Sequence, residues 1–391
     1  MLAWLRDAAR ALVGRSWRLA LARVAVVLAA LGLGAALFVS AGLVPIAASE
    51  GHWPVTRWLL EFAMRRSVAT SALRAPEPPP LDDPSLVLKG AGHYATSCLP
   101  CHGGPGRARP PLVQQMLPQP PTLSAKVVAL SPGELFRVVK HGIKYTAMPG
   151  WVARERDDEV WAMVAFLKRL PDLDAQAFES LAYGERAGMR EAGNGLAPLE
   201  APAQDALANC VRCHGSDGAG RGNGAFPRLA GQREDYLRAN LEAYAGGERH
   251  SGIMQPAAAG LQPREIERLA QYFAAQSGAA PAVTKPADAE AIARGRELAR
   301  RGDPTRRLPS CVECHGPGEG ERNAMYPELA GQYADYLALQ LQLFQAGERG
   351  GTRYAPVMEE IAGRLEPGDI DALAAYYASL RPEDRRADGA R

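Results

Sequence analysis

Almost no net charge is left on this chain: 45 Lys and Arg stand against 43 Asp and Glu, a balance of +2. Bulk electrostatics therefore give no reason to expect nucleic acid or an acidic polymer as partner. No stretch alternates between apolar and polar residues long enough to read as a strand, which leaves an all-α fold. Cysteine is scarce, six in 391 residues, and none is left over once the close pairs are drawn. Hydrophobic residues at 47% and charged residues at 23% exclude wholesale disorder. The length suits roughly two to four domains, and 40 Gly with 31 Pro point to short domains with irregular connections.

What is present is a motif used three times. Cys98 and Cys101, Cys210 and Cys213, and Cys311 and Cys314 are each Cys-x-x-Cys, followed at once by His102, His214 and His315. Two thiols three positions apart can bond two vinyl groups on one porphyrin edge, and the adjacent imidazole then meets the iron, so the pentapeptide reads as c-type haem attachment. A structural zinc site would need four ligands from paired half-sites, and no partner knuckle lies nearby. A disulfide framework would not place histidine after every second cysteine. A redox dithiol would sit in a βαβ context that this sequence lacks. Three covalently bound haem c groups are expected.

From Val24 to Ser49 run 26 residues without a charge, preceded by Arg6, Arg10, Arg15, Arg18 and Arg23. A secretory apolar region is only ~7–15 residues, whereas a spanning helix needs ~20. The length favours a single-pass anchor; the small residues Ala47-Ala48-Ser49 would also suit a cleaved signal peptide. The arginines stay cytoplasmic, so the rest of the chain is exported to the periplasmic side of a bacterial inner membrane. Trp53, Trp58, Leu59, Leu60, Phe62 and Met64 before Arg65 and Arg66 read as an interfacial helix.

Residues 210–275 and 311–378 are one text written twice. Phe226-Pro227 answers Tyr326-Pro327, Leu229-Ala230-Gly231-Gln232 recurs as Leu329-Ala330-Gly331-Gln332, and Gly247-Glu248-Arg249 as Gly347-Glu348-Arg349. Tyr236 and Tyr336 fall at matching places and read as core or haem-wall aromatics. The first unit shares only the haem motif and a closing helix. The expected organisation is an anchor over 1–50, a juxtamembrane helix and linker over 51–80, and three tandem domains over 81–173, 174–283 and 284–391. A linker rich in Ala and Pro lies at Ser277 to Asp288, and the border within 171–205 is diffuse. Closing helices carry apolar residues at helical spacing: Val160, Val164, Leu167; Ile266, Leu269, Phe273; Ile370, Leu373, Tyr377. Pro263 and Pro367 suit a first helical turn, and Ser131-Pro132-Gly133-Glu134 a capping box.

The sixth ligand of each iron separates carriers from catalysts, and a methionine thioether raises the potential. Met148, Met254 and Met358 lie 46, 40 and 43 residues after their histidines, each expected in a loop before the closing helix. Met163, inside a helical stripe, reads as a core filler. Met116, His141 and His250 are rivals, while Met325 has Ala225 as its counterpart and is not a shared ligand. His52 and His93 read as surface or packing residues. Arg107, Arg109, Lys126, Arg137, Lys140 and Lys144 face one acid, Glu134, which suits either a basic rim steering a redox partner or a solvated face.

Each unit resembles a class I cytochrome c domain, and 205–380 is similar to the diheme cytochrome c4 family through the Phe/Tyr-Pro-x-Leu-Ala-Gly-Gln segment. The first unit is similar only in its Ala-Met-Pro-Gly-Trp loop and Trp161. The resemblance implies packed haem domains, His/Met ligation and electron transfer towards a terminal oxidase, with no catalytic residues. Partners at the membrane would be a terminal oxidase, a quinol-oxidising complex or a dehydrogenase in a respiratory chain. The competing readings are the cytochrome subunit of a membrane dehydrogenase acting on alcohols or sugars, and a haem peroxidase, against which the three loop methionines speak.

Overall fold

The computed structural model describes residues 17–44, 46–47, 49–184, 206–222, 224–277, 288–317 and 321–381. The chain divides into two compact units, Met1–Pro54 and Val55–Arg391. Among the described residues there is no strand, only isolated bridges such as Arg249 with Gly350.

In the first unit, α1 (Trp17–Ser40) is 24 residues long, roughly 36 Å at the rise of an α-helix. That exceeds the ~30 Å hydrocarbon core of a bilayer, and no residue of α1 is buried by protein. Arg18 and Arg23 sit in its first turns, while Arg6, Arg10, Arg15 and Ala48 lie outside the described residues. The uncharged run continues to Ser49, but the helix stops at Ser40. Gly42 takes φ +71° and donates to the Val39 carbonyl, an end that only glycine adopts without strain.

The second unit opens with α2 (Pro54–Ala72), where Trp58 and Phe62, one turn apart, stack at 5.7 Å with both rings exposed. A first core comes next, built by α3 (Pro84–His93), α4 (Pro132–His141), α5 (Asp157–Arg169) and α6 (Ala175–Tyr183). Phe136, Phe166 and Phe178 are fully enclosed there, each contributing about 1.5–3 kcal/mol by leaving water. Met163 is enclosed with them as a filler. Residues 185–205, and with them most of the diffuse border, lie outside the described residues.

A second core is formed by α7 (Ala206–His214), α8 (Glu234–Gly246) and α10 (Pro263–Ala275), around Leu237, Leu269 and Phe273, with α9 (Met254–Ala258) packed on α8. The third uses α11 (Ala289–Arg301), α12 (Ala334–Gln345), α13 (Ala355–Ala362) and α14 (Pro367–Ser379), around Ile370, Leu373 and Tyr377. Between them, 278–287 lie outside the described residues. The closing helices α5, α10 and α14 form where their apolar spacing predicts, and every stripe residue named for them is buried.

Local chemistry sets the helix starts. Ser131 Oγ accepts from the Glu134 N–H at 3.3 Å while Glu134 returns a carboxylate oxygen to the Ser131 N–H at 2.8 Å. Pro132, Pro263 and Pro367 occupy first turns, where a missing N–H costs nothing. Glycine decides how closely the opening and closing helices cross. A Cβ on Gly90 would lie 2.3 Å from the Ala162 carbonyl oxygen, and one on Gly295 would lie 1.9 Å from that of Ala372.

Candidate functional site

Each Cys-x-x-Cys-His closes a helical turn: Leu99–His102, the end of α7, and Val312–His315. Residues three apart share a helix face, so both thiols of a pair point the same way. The turn then ends on a glycine of positive φ: Gly103 at +66°, Gly215 at +78° and Gly316 at +68°. Their N–H groups close the helix on Leu99, Val211 and Val312 at 2.8–2.9 Å.

The same second interaction recurs at all three histidines. Nδ1 of His102, His214 and His315 lies 2.9, 3.1 and 2.9 Å from the carbonyl oxygens of Pro121, Pro227 and Pro327. A carbonyl only accepts, so Nδ1 carries the proton and Nε2 keeps its lone pair free. That is the arrangement by which proteins orient a metal-ligating imidazole. Burial holds all three imidazoles below the usual histidine value, against the opposing pull of the proline carbonyls, so the ring is neutral. Burial, then the neighbouring cysteine, pushes Cys98 and Cys210 up to about 12 and Cys311 to about 11. Reactive redox dithiols have the opposite shift.

A cavity of about 1280 Å³ is lined by Cys210, Cys213, His214 and Met254 together with Cys311, Cys314, His315 and Met358. A single small-molecule pocket is usually ~300–1,000 Å³, so this one is large enough for more than one ligand. At two methionines the structure corrects the sequence expectation. Met254 opens helix α9 and Met358 lies inside α13, so neither sits in a loop. Ser251 Oγ accepts from the Met254 N–H at 3.0 Å where α9 begins, and Pro356 lies in the first turn of α13, where a missing N–H costs nothing. Met148 does lie in a loop, Gly142 to Gly150, pinned back on α4 where the Trp151 N–H meets the Lys140 carbonyl at 2.9 Å. Cys101 reaches the edge of the large cavity, whereas His102 and Met148 do not line it.

Of the rival ligands, Met116 is half-buried in its Pro-rich turn and His141 is exposed; Met325, set aside as a ligand, lines the cavity. His250 Nδ1 lies against Glu155 at 2.7 Å and the Glu348 carbonyl at 3.1 Å. His93 is buried against Trp151, with ring centroids 4.8 Å apart. The basic cluster is answered by acids outside its own stretch of sequence: Arg107 pairs with Glu179 at 2.6 Å and Lys140 with Asp157.

No motif in the sequence marked Arg249 and Arg349 as site residues. Both are buried, 5% and 6% exposed, and both line the cavity. Arg249 donates to Asn240, Tyr336 and Gln340, and Arg349 to Gln340 and Tyr236, all neutral. Among the described residues neither has a carboxylate partner. A buried guanidinium needs an anion to offset its lost hydration; burial, then the charge of Arg249, lowers Arg349, whereas against burial the surrounding Tyr244, Tyr336 and Tyr236 raise Arg249. Haem c carries two carboxylates, two thioether positions and an iron that takes nitrogen and sulfur. Thiol pairs, neutral imidazoles, thioethers and guanidiniums without a carboxylate partner among the described residues, all on one cavity, fit that group. The only signal in the sequence was the repeated Gly-Glu-Arg.

Comparison with known proteins agrees with this chemistry. Residues 85–167 match the family described as cytochrome c oxidase, cbb3-type, subunit III, and residues 201–277 match cytochrome c. A thiosulfate dehydrogenase electron acceptor of Stutzerimonas stutzeri (strain A1501) is 37% identical over 181 residues, 46% of this chain and 82% of that protein. One from Thiomonas intermedia (strain K12) is 34% identical over 179 residues, again 46% and 82%. Cytochrome c4 of Pseudomonas aeruginosa is 35% identical over 193 residues, 48% of this chain and 94% of that protein. The chain belongs to the cytochrome c family and is a haem c-binding electron carrier with an apolar N-terminal helix.

Proposed function

We propose that the chain is a membrane-anchored triheme cytochrome that passes electrons in a periplasmic respiratory chain towards a terminal oxidase. The observation that carries the count of three is the histidine–proline carbonyl bond, built alike after Cys98–Cys101, Cys210–Cys213 and Cys311–Cys314. In this reading Cys98, Cys101, Cys210, Cys213, Cys311 and Cys314 hold the haems covalently. His102, His214 and His315 would each give the haem iron a nitrogen, and Met148, Met254 and Met358 a sulfur. Haem c supplies a reversible one-electron change at its iron. The protein's own groups would fix the imidazole orientation and, through Arg249 and Arg349, offset carboxylate charge.

The domain borders are those read from sequence, with one change: α6, whose Phe178 is enclosed in the first core, joins the first domain. Helix α1 is the anchor, its length and exposed apolar surface matching a bilayer. The match of residues 85–167 to an oxidase subunit family favours an oxidase as acceptor. A second reading, in which the chain takes electrons directly from a dehydrogenase, is favoured by the relatives named thiosulfate dehydrogenase electron acceptors.

The test is to purify the mature protein from membranes and compare its intact mass and pyridine haemochrome absorbance with protein concentration. Three haems per chain support the reading; two would remove Cys98–His102 from the set. Identification of the complex that co-purifies distinguishes oxidase from dehydrogenase.

A further inference from the structure

We propose that Glu159 is a positioning residue for Met254, so that the first haem-motif segment holds the sulfur-bearing segment of the second. The inference rests on the reading of Met254 as an axial ligand and adds that its placement is set from outside its own segment.

The strip His250-Ser251-Gly252 leads directly into Met254 and is gripped from two sides. Glu159, on the first turn of α5, is only 3% exposed. Its Oε1 accepts from Ser251 Oγ at 2.5 Å, and its Oε2 accepts from the Gly252 N–H at 2.6 Å and from Trp151 Nε1 at 3.2 Å. Arg156 lies 3.1 Å from the same carboxylate and donates to the His250 carbonyl at 2.7 Å. Ser251 relays the grip, because its Oγ accepts from the Ile253 and Met254 N–H groups at 3.3 and 3.0 Å. Gly252 lies flat on Trp151: a Cβ there would be 2.1 Å from Nε1 of the indole. Ile253 packs into the first hydrophobic core, not the second. From the third segment, the Arg349 carbonyl accepts from the His250 N–H at 2.9 Å.

Three segments thus meet on the residues immediately before Met254. Hydrogen bonds to a carboxylate are among the stronger ones, and supporting bonds of this kind fix where a ligand atom stands. The position of the Met254 sulfur would therefore depend on the first segment staying docked.

The experiment uses the full haem-loaded chain and four variants: Glu159→Gln, Ser251→Ala, Met254→Ala and, as a control at an exposed position, Asp172→Asn. Two signals are read: the long-wavelength methionine-to-iron absorbance of the oxidised protein, and a potentiometric titration resolving the haems. Expected is that Glu159→Gln and Ser251→Ala each diminish one haem's share of the absorbance and shift that haem's potential downward, with Asp172→Asn unchanged. If Met254→Ala removes one share while Glu159→Gln and Ser251→Ala change neither signal, the positioning role is wrong and the ligand reading stands. A silent Met254→Ala overturns the ligand reading and this inference with it. Ser251→Ala keeps the test open should Glu159→Gln fold poorly, since Ser251 touches Glu159 without carrying a charge.

Discussion

Gln232 and Gln332 bind each other's segments reciprocally. Gln232 donates to the Glu328 carbonyl at 3.0 Å and accepts from the Glu328 N–H at 2.9 Å; Gln332 donates to the Arg228 carbonyl and accepts from the Arg228 N–H, both at 2.9 Å. The last residue of a repeated tetrapeptide therefore reads the backbone just ahead of its counterpart. Gly231 and Gly331 meanwhile tie each tetrapeptide to the end of its own closing helix, at the Phe273 and Tyr377 carbonyls. The duplication is also the interface.

Truncating one glutamine strands a buried N–H and C=O on the other segment, at a cost of about 1–3 kcal/mol. Gln332→Ala should lower the urea midpoint accordingly. The double variant Gln232→Ala/Gln332→Ala should split unfolding into separate steps, visible by calorimetry. The two effects should not add, because both residues share one interface.

The helix crossings have no spare room. Gly90→Ala and Gly295→Ala should each destabilise the chain by about 1–3 kcal/mol through overpacking, read as a fall in thermal midpoint. Gly32→Ala, where a Cβ would meet nothing within 4 Å, should leave that midpoint unchanged.

Met148 is expected to ligate the first haem from its loop. Met148→Ala should convert that haem to a high-spin form that binds carbon monoxide when reduced. Met116→Ala and His141→Ala should leave the spectrum low-spin.

Acid should loosen the third segment. Burial pushes Asp369 up, but Arg306, the Glu366 N–H and Arg294 outweigh it and hold the carboxyl below its ordinary value. Asp303, bonded to Thr305 and Arg306, is held at about 2. Carboxylates depressed in the folded state contribute stability that is complete above their unfolded value of ~3.9 and is lost as pH falls through the folded one. Circular dichroism should show helix loss between about pH 4 and pH 2. Asp369→Asn should be less stable at neutral pH and show a smaller loss over that window.

Replacing residues 1–50 with a cleavable secretion signal should release a soluble, haem-loaded protein. Fractionation by ultracentrifugation checks this; persistence in the membrane pellet would assign attachment to another segment, with exposed α2 the first to test.

The closing helices, their proline starts and the Ser131–Glu134 box were legible in the chain because each depends on residues within a turn or two of one another. The same holds for haem attachment: the chemistry of Cys-x-x-Cys-His is complete within five residues. Sequence spacing puts Met254 and Met358 in loops, 40 and 43 residues after His214 and His315, whereas the structure winds both into helices. The helices that carry them run only 5 and 8 residues, too short for an apolar stripe to show above the surrounding Gly and Pro.

By itself the sequence determined the haem motifs, the helical class, the duplication and the apolar helix, all properties of short windows or of text compared with itself. Tertiary structure alone decided the joints: Glu159 under Ser251, Gln232 against Glu328, Arg249 beside Tyr336. In sequence Glu159 is an ordinary acid at a helix start, and Arg249 an ordinary surface charge. What makes them otherwise is burial against partners roughly ninety residues away. A buried polar group must find its partner wherever the chain brings one, and no local pattern records where that is.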